Sequence, residues 1–280
     1  MPELCLALAK DFLDDLKIPA QPEILIAVQN EIAKETPDLD VISDKIIQDG
    51  GLFSSVLKLI NSPYFGMRCE IKTIKHAVSL IGVDNLATNV ACITFRAQMS
   101  GSDFIPMPTY WGLSSDTAKL CSILSKELCI SSPTQAYAFG LFKDAGIPIL
   151  AKKYSNYKDV LTEQNNTDLR AFTELEDEHF NTNHAIVSYL VSKKWGMEKS
   201  FREACLYHHD IEYIIAEDFK YDQEARKLIL IMKVSEYVVN MERKQNDYEW
   251  PKIKEFALYY FGLSEKNFKD ICDQLLASIN

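Results

Sequence analysis

Long apolar runs are missing from this chain. No hydrophobic stretch approaches the roughly 20 residues needed to cross a bilayer, so no membrane partner is expected. Positive charge is also short. Thirty lysines and arginines stand against forty aspartates and glutamates, a net charge of −10. Only small clusters such as Lys152-Lys153 and Lys193-Lys194 concentrate it, too little for a nucleic-acid footprint. Ten glycines are too sparse for a phosphate-cradling loop. The seven cysteines are odd in number and scattered, with no Cys-x-x-Cys pair. That pattern argues against a disulfide frame or a zinc ribbon and for buried free thiols in a reducing compartment. The N-terminus lacks a basic segment before its short apolar stretch, so no secretory signal is expected and the cytoplasm is the expected location.

What remains is a chain of 280 residues, 47% hydrophobic and 25% charged, enough for one large domain or two modest ones. Its periodicity is helical. Ile24, Val28 and Ile32 recur at four-residue spacing, as do Leu52, Val56 and Ile60, and no alternating strand pairs stand out. The punctuation agrees: Asn61-Ser62-Pro63 closes a helix, since the residue before proline avoids the α region. The reading is an all-α protein, a compact bundle of about a dozen helices. Its N-terminal helical sub-domain covers 1–104, ending in a loop with Pro106 and Pro108 just beyond. A second sub-domain, 105–221, carries every candidate chemical group, and C-terminal helices, 222–280, complete the bundle.

Several segments resemble the HDOD family. They are Ile46 to Leu52, Asn61-Ser62-Pro63-Tyr64-Phe65-Gly66, Ile74 to Gly82, and Trp111 with Ser114 and Ala118. The run Gly140-Leu141-Phe142-Lys143-Asp144-Ala145-Gly146 is similar to a Gly-Leu-Phe-His-Asp-Ala-Gly segment, with Lys143 where the histidine would stand. Glu176, Phe180, His184 and Trp195 follow at matching spacings, then His208-His209. The sequence departs from the pattern at Gly50, Asn181, Asn183 and Lys143. The resemblance implies a helical output domain of bacterial signalling proteins, related to the metal-dependent HD phosphohydrolases and commonly non-catalytic. No receiver domain is expected on this chain, so partners would be met in trans.

Relatives that hydrolyse phosphoesters use a histidine, a His-Asp pair and a distant aspartate from separate helices, because a divalent ion needs several converging N and O ligands. Here those places fall at Leu113 or Ser114, at Lys143-Asp144, and at Ser235 or Glu236. The vestigial pocket is thus expected to comprise Lys143, Asp144, Glu176, His184, His208, His209 and Glu236. A protonated lysine has no lone pair for a metal, and the reading is that its ammonium neutralises Asp144 in the ion's stead. No cofactor is then expected. Iron, manganese, zinc or magnesium on Asp144, His184, His208 and His209 is the alternative.

Adjacent helical residues point about 100° apart, so His208 and His209 are not expected to share an ion within a regular helix. They would instead form a polar pair held by carboxylates such as Asp210. Glu176 and His184, eight residues apart, would lie on nearly one face if the helix between them is continuous. The expected function is signal transduction without catalysis, through contacts with signalling proteins or a small anionic, nucleotide-like ligand. The rival is a metal-dependent phosphohydrolase or phosphodiesterase, and a third reading is a plain structural adaptor.

Overall fold

The computed structural model describes residues 16–67, 69–99, 105–168, 171–216 and 222–279. They form sixteen α-helices and one 3-10 turn, with no strand among the described residues. The helices are more numerous and shorter than the sequence periodicity suggests. α1 (Glu23–Ile32), α2 (Leu39–Ile47), α3 (Gly50–Ile60), α4 (Ile74–Ile81) and α5 (Val83–Gln98) make the first group. α6 (Met107–Leu128), α7 (Pro133–Phe142), α8 (Gly146–Lys153), α9 (Tyr157–Asn165), α10 (Glu174–Phe180), α11 (His184–Lys194), α12 (Lys199–Tyr207) and α13 (Ile211–Ile215) follow. α14 (Gln223–Glu242), α15 (Trp250–Phe261) and α16 (Glu265–Ile279) complete the chain.

Side-chain oxygens at Asp38, Asp49, Thr73, Asn183, Asp210 and Asp222 accept the orphan N–H groups at helix starts, which sets where each begins. The Asn61 motif is structural, as its turn residues suggest. The Asn61 amide donates to the carbonyls of Leu57 (3.0 Å) and Ile71 (2.7 Å), and its oxygen accepts from the Ile71 N–H at 2.7 Å. Gly66 closes the motif at φ +58, a left-handed conformation that favours glycine.

One apolar core runs from Leu16 to Leu275 and spans all three predicted segments. Residues 100–104 and 217–221, where the sequence reading places its boundaries, lie outside the described residues. α11 and α14 are buried on nearly every side, the pattern of central rather than surface helices. α6 and α7 pack against each other at the centre. Gly140 makes this possible, since a Cβ there would lie 2.8 Å from the Ala118 Cα. Trp111 and Trp195 are core residues, and the Trp195 indole donates to the Pro19 carbonyl at 3.2 Å.

No disulfide forms among the described residues. Cys92, Cys121, Cys205 and Cys272 are buried, whereas Cys69 and Cys129 are exposed, which corrects the expectation for those two; Cys5 lies outside the described residues. No single described helix is long and apolar enough to cross a membrane. α4 and α5 would satisfy that test only together, and they turn by 116° at Gly82.

Candidate metal centre

α7 runs out at Phe142, placing Lys143 and Asp144 at its C-terminal end, next to the start of α8. The Lys143 side chain is buried, not extended to solvent. Its ammonium bridges an Asp144 carboxylate oxygen and Glu236 Oε1, the latter at 2.6 Å. Both partners raise its pKa against the opposing effect of burial. The prediction that the lysine would neutralise carboxylates here agrees with this geometry. The ammonium does not fill the cluster beyond it, however. It takes Asp144 Oδ2 and leaves Oδ1 facing three imidazoles.

Each imidazole is held through its Nδ1. His184 Nδ1 lies 2.5 Å from Glu176 Oε2, His208 Nδ1 lies 2.8 Å from the Cys205 carbonyl, and His209 Nδ1 lies 2.8 Å from Glu249 Oε2. All three partners are acceptors, so each Nδ1 carries the hydrogen and each Nε2 of a neutral ring presents a lone pair. Those lone pairs converge. His184 Nε2 and His209 Nε2 are 3.0 Å apart, His208 Nε2 is 3.2 Å from Asp144 Oδ1, and His184 Nε2 is 3.6 Å from the same oxygen. The four donor atoms lie within 4.8 Å of one another.

With neutral rings, these neighbours are acceptor against acceptor; a bound metal ion relieves that, as does a proton on His184 Nε2 donated to His209 Nε2. Donors about 2.0–2.1 Å from a tetrahedral ion stand roughly 3.4 Å from each other, close to the spacings found here. The charge count agrees. With all three imidazoles neutral, Asp144, Glu176, Glu236 and Glu249 oppose the ammoniums of Lys143 and Lys233, leaving two negative charges for a divalent ion to balance. The residues therefore fit a metal, and Asp144, His184, His208 and His209 are the ones that would hold it.

Two conditions placed on these histidines, a regular helix through 208–209 and a continuous one from 176 to 184, are not met. α12 ends at Tyr207, so His208 is already the cap and His209 lies in the following turn. The 100° rule for a regular helix no longer applies, and both rings reach the cluster. Asp210 does not hold them; it caps α13 by accepting from the Tyr213 N–H at 3.0 Å. Glu176 and His184 likewise do not share one continuous helix. α10 stops at Phe180, Asn181 turns left-handed at φ 52, and Asn183 caps α11. That break lets the Glu176 carboxylate accept both the His184 backbone N–H (3.1 Å) and its ring.

Glu176 is fully buried and also accepts from Tyr157 Oη (2.5 Å) and Gln164 Nε2 (3.0 Å). Burial would raise its pKa, but the His184 charge and these donors outweigh that and lower it. Asp144 is lowered too: burial opposes ionisation, and Lys143 and the histidines overcome it. Burial depresses His208 and His209, favouring their neutral forms, while the carboxylates of Glu176 and Asp144 override burial and raise His184.

Glu236 is in the pocket but faces lysines, with Lys233 at 3.5 Å besides Lys143, and is not a cluster ligand. Leu113 and Ser114 line the cavity, and the Ser114 hydroxyl donates to the Tyr110 carbonyl. Sequence reasoning missed Glu249, which orients His209, and Lys233, whose ammonium lies 2.7 Å from Glu249. It also missed Gly146, where a Cβ would meet the His184 carbonyl at 2.3 Å; this glycine lets α8 approach the α11 backbone. Lys143, Glu236, Lys233, Glu249, His209, His184 and Asp144 thus form a closed ring of neighbours, in which carboxylates and lysines alternate from Asp144 to Glu249 and the two imidazoles close the circuit. A cavity of about 640 Å³ opens beside it, with Asp144, His184 and His209 in its wall.

An all-helical bundle enclosing a His–Asp cluster at the foot of an open cavity defines a class, that of helical proteins with a candidate metal centre. The chain belongs to the HDOD family, whose domain profile matches residues 18–211. Lys233, Glu236 and Glu249 lie beyond the matched residues. An HDOD domain protein of unknown function from Geobacter sulfurreducens has the same fold, with TM-score 0.68 at 21% identity over 99% of this chain and 95% of that one. A candidate metal-dependent phosphohydrolase from Shewanella amazonensis matches with TM-score 0.63 at 18% identity, covering 99% and 98%. A candidate signal transduction protein from Marinobacter aquaeolei matches with TM-score 0.63 at 17% identity, covering 94% and 58%. The chain spans half or less of the curated relatives it matches. An uncharacterised Treponema pallidum protein is 22% identical over 96% of this chain and 50% of its own length, and Bacillus subtilis YuxH 25% identical over 40% and 27%.

Proposed function

We propose that the chain is a signal-transduction output module whose cluster holds one divalent transition metal and whose cavity receives a small anionic phosphoester. Cytoplasmic signalling proteins would read the occupied state in trans, without turnover. The observation that carries this reading is the inward convergence of three Nε2 lone pairs and Asp144 Oδ1, each ring pinned from behind. Carboxylates and carbonyls behind ligating histidines are what fix tautomer and aim in metal sites. A bound ion would supply positive charge at the cavity floor, which favours an anionic phosphoester there.

Holding is favoured over hydrolysis by what the side chains are already doing. Four protein donors complete a four-coordinate shell, the arrangement of structural sites. Among the described residues no neighbouring carboxylate is free to take a proton from an attacking water: Asp144 and Glu236 engage Lys143, and Glu249 engages His209 and Lys233. One observation favours the second reading, a metal-dependent phosphohydrolase or phosphodiesterase. Asp144, His184 and His209 all border the cavity, so a ligand can reach the cluster.

Elemental analysis of protein purified without chelator tests the centre. About one equivalent of iron, manganese or zinc is expected, lost in Asp144→Ala and His208→Ala. Absence of metal even after reconstitution would remove the centre. Metal-loaded protein is then offered p-nitrophenyl phosphoesters, nucleotides and cyclic dinucleotides. Turnover that disappears in Asp144→Ala would replace the signalling reading by the hydrolase one.

A further inference from the structure

The carboxylates that border the cavity all have internal partners. Asp144, Glu236 and Glu249 are held by lysine or imidazole, and Asp247 accepts from Asn240 Nδ2 (3.1 Å) and from the backbone N–H groups of Glu249 (3.1 Å) and Trp250 (2.8 Å). The ammoniums at the cavity mouth are different. Lys158, in the first turn of α9, and Lys244, just beyond α14, both border the cavity, are exposed, and pair with no carboxylate among the described residues. In a chain with net charge −10, the described residues of this opening present positive charge to solvent. A concave site of one sign concentrates ligands of the other.

Lys244 is held at φ 54, a left-handed conformation that a lysine rarely adopts and that fixes where its side chain leaves the backbone. Between mouth and floor, Phe172 stacks on the His209 ring at 4.4 Å between centroids. Its ring also borders the cavity. The side-chain amides of Asn165 and Gln245, also in the cavity wall, have no hydrogen-bond partner among the described residues. Free amides beside an aromatic ring suit the edges and face of a flat heterocycle.

We propose that the cavity takes a ring-bearing phosphoester with at least two phosphate charges, of the nucleoside diphosphate class, with Lys158 and Lys244 as the residues that select for the second phosphate. This rests on the reading of the cavity as a phosphoester site and adds which phosphoester. Charge-assisted hydrogen bonds contribute about 1.5–3 kcal/mol each, so losing one should weaken binding about tenfold or more.

The test is calorimetric titration of full-length, metal-loaded protein with ADP, GDP, AMP and inorganic phosphate. A diphosphate should bind at least tenfold more tightly than AMP. Lys158→Ala with Lys244→Gly should bring that affinity to the AMP level while metal content stays as in the parent and AMP binding falls by less than diphosphate binding. Lys244→Gly suits the left-handed backbone, and both positions are exposed, so the variant is expected to fold. The preference should also weaken as salt rises from 50 to 200 mM. Equal affinity for ADP and AMP, or a preference that survives the double substitution, would overturn the proposal, as would failure of all four probes to bind. In each of these cases the measured metal content stands separately, so failure of the metal centre is told apart from failure of the ligand assignment.

Discussion

Replacing Glu176 by glutamine removes one charge and almost no volume, and it should disable the metal centre through a proton rather than a contact. The wild-type carboxylate accepts four donors, from Tyr157, Gln164, the His184 backbone and His184 Nδ1. A glutamine offers one acceptor oxygen and one NH2 group. The NH2 group meets His184 favourably only if Nδ1 becomes the acceptor, and a neutral ring then carries its hydrogen on Nε2. That hydrogen points at the cluster and removes one of its lone pairs. Loss of an orienting partner typically weakens metal affinity 10- to 100-fold. With metal at about 100 times the parent dissociation constant, binding stabilises the parent by about 2.7 kcal/mol. The same concentration stabilises the variant by only about 0.4–1.4 kcal/mol. At about 2 °C per kcal/mol for a chain of this size, the metal-induced rise in Tm should fall from about 5 °C to about 1–3 °C. Differential scanning calorimetry with and without added zinc or manganese measures it. A Glu176→Gln protein that folds and shows the parent's full metal-induced shift would refute the tautomer argument.

Gly146→Ala drives a Cβ to within 2.3 Å of the His184 carbonyl and 2.9 Å of its Cα, both backbone atoms. It should cost about 1–3 kcal/mol or more, read as a lower urea midpoint, together with reduced metal content. Lys143→Met leaves Asp144 without an ammonium and Glu236 with Lys233 alone. A stability loss of about 3 kcal/mol is expected from breaking a buried pair, and an unchanged urea midpoint would contradict the ion-pair reading. The metal-free protein should lose stability as pH falls from 7 to 5. His208 and His209 have depressed folded pKa values, so their contribution is present above about 6.5 and is lost as protons bind preferentially to the unfolded chain. His184, raised in the fold, acts in the opposite direction and softens the slope. Asp144 and Glu176, lowered in the fold, add a steeper loss below about pH 4.5. A midpoint that is flat between pH 7 and 5 would count against neutral buried imidazoles.

Local signals carried the parts of this molecule that depend on neighbours in the chain. The four-residue spacing of Ile24, Val28 and Ile32 marks α1, and Asn61-Ser62-Pro63 marks the end of α3, because both depend on a few adjacent residues. The identities Asp144, His184, His208 and His209 were also legible, from the family resemblance. Their convergence was not, because it depends on where helices stop. Ending α12 at Tyr207 and breaking the chain at Asn181 bring the rings inward, and neither event leaves a strong periodic mark. Glu249 and Lys233 were hidden for another reason. Each is one charged residue among many in its own segment, and only the packing of α14 and the start of α15 beside the His208-His209 turn makes them partners.

The ring that joins Lys143, Glu236, Lys233, Glu249, His209, His184 and Asp144 has a consequence for how such a site can change over generations. Lys143, Glu236, Lys233 and Glu249 each pair with two neighbours, so a lone mutation among them leaves two groups short of a partner rather than one. A lineage exchanging Lys143 for histidine would leave Glu236 dependent on Lys233 alone and would have to alter position 236 or 233 within the same evolutionary step. Drift through this pocket is therefore confined to matched double changes, and positions 143, 233, 236 and 249 should covary as a set wherever descendants of this chain are compared.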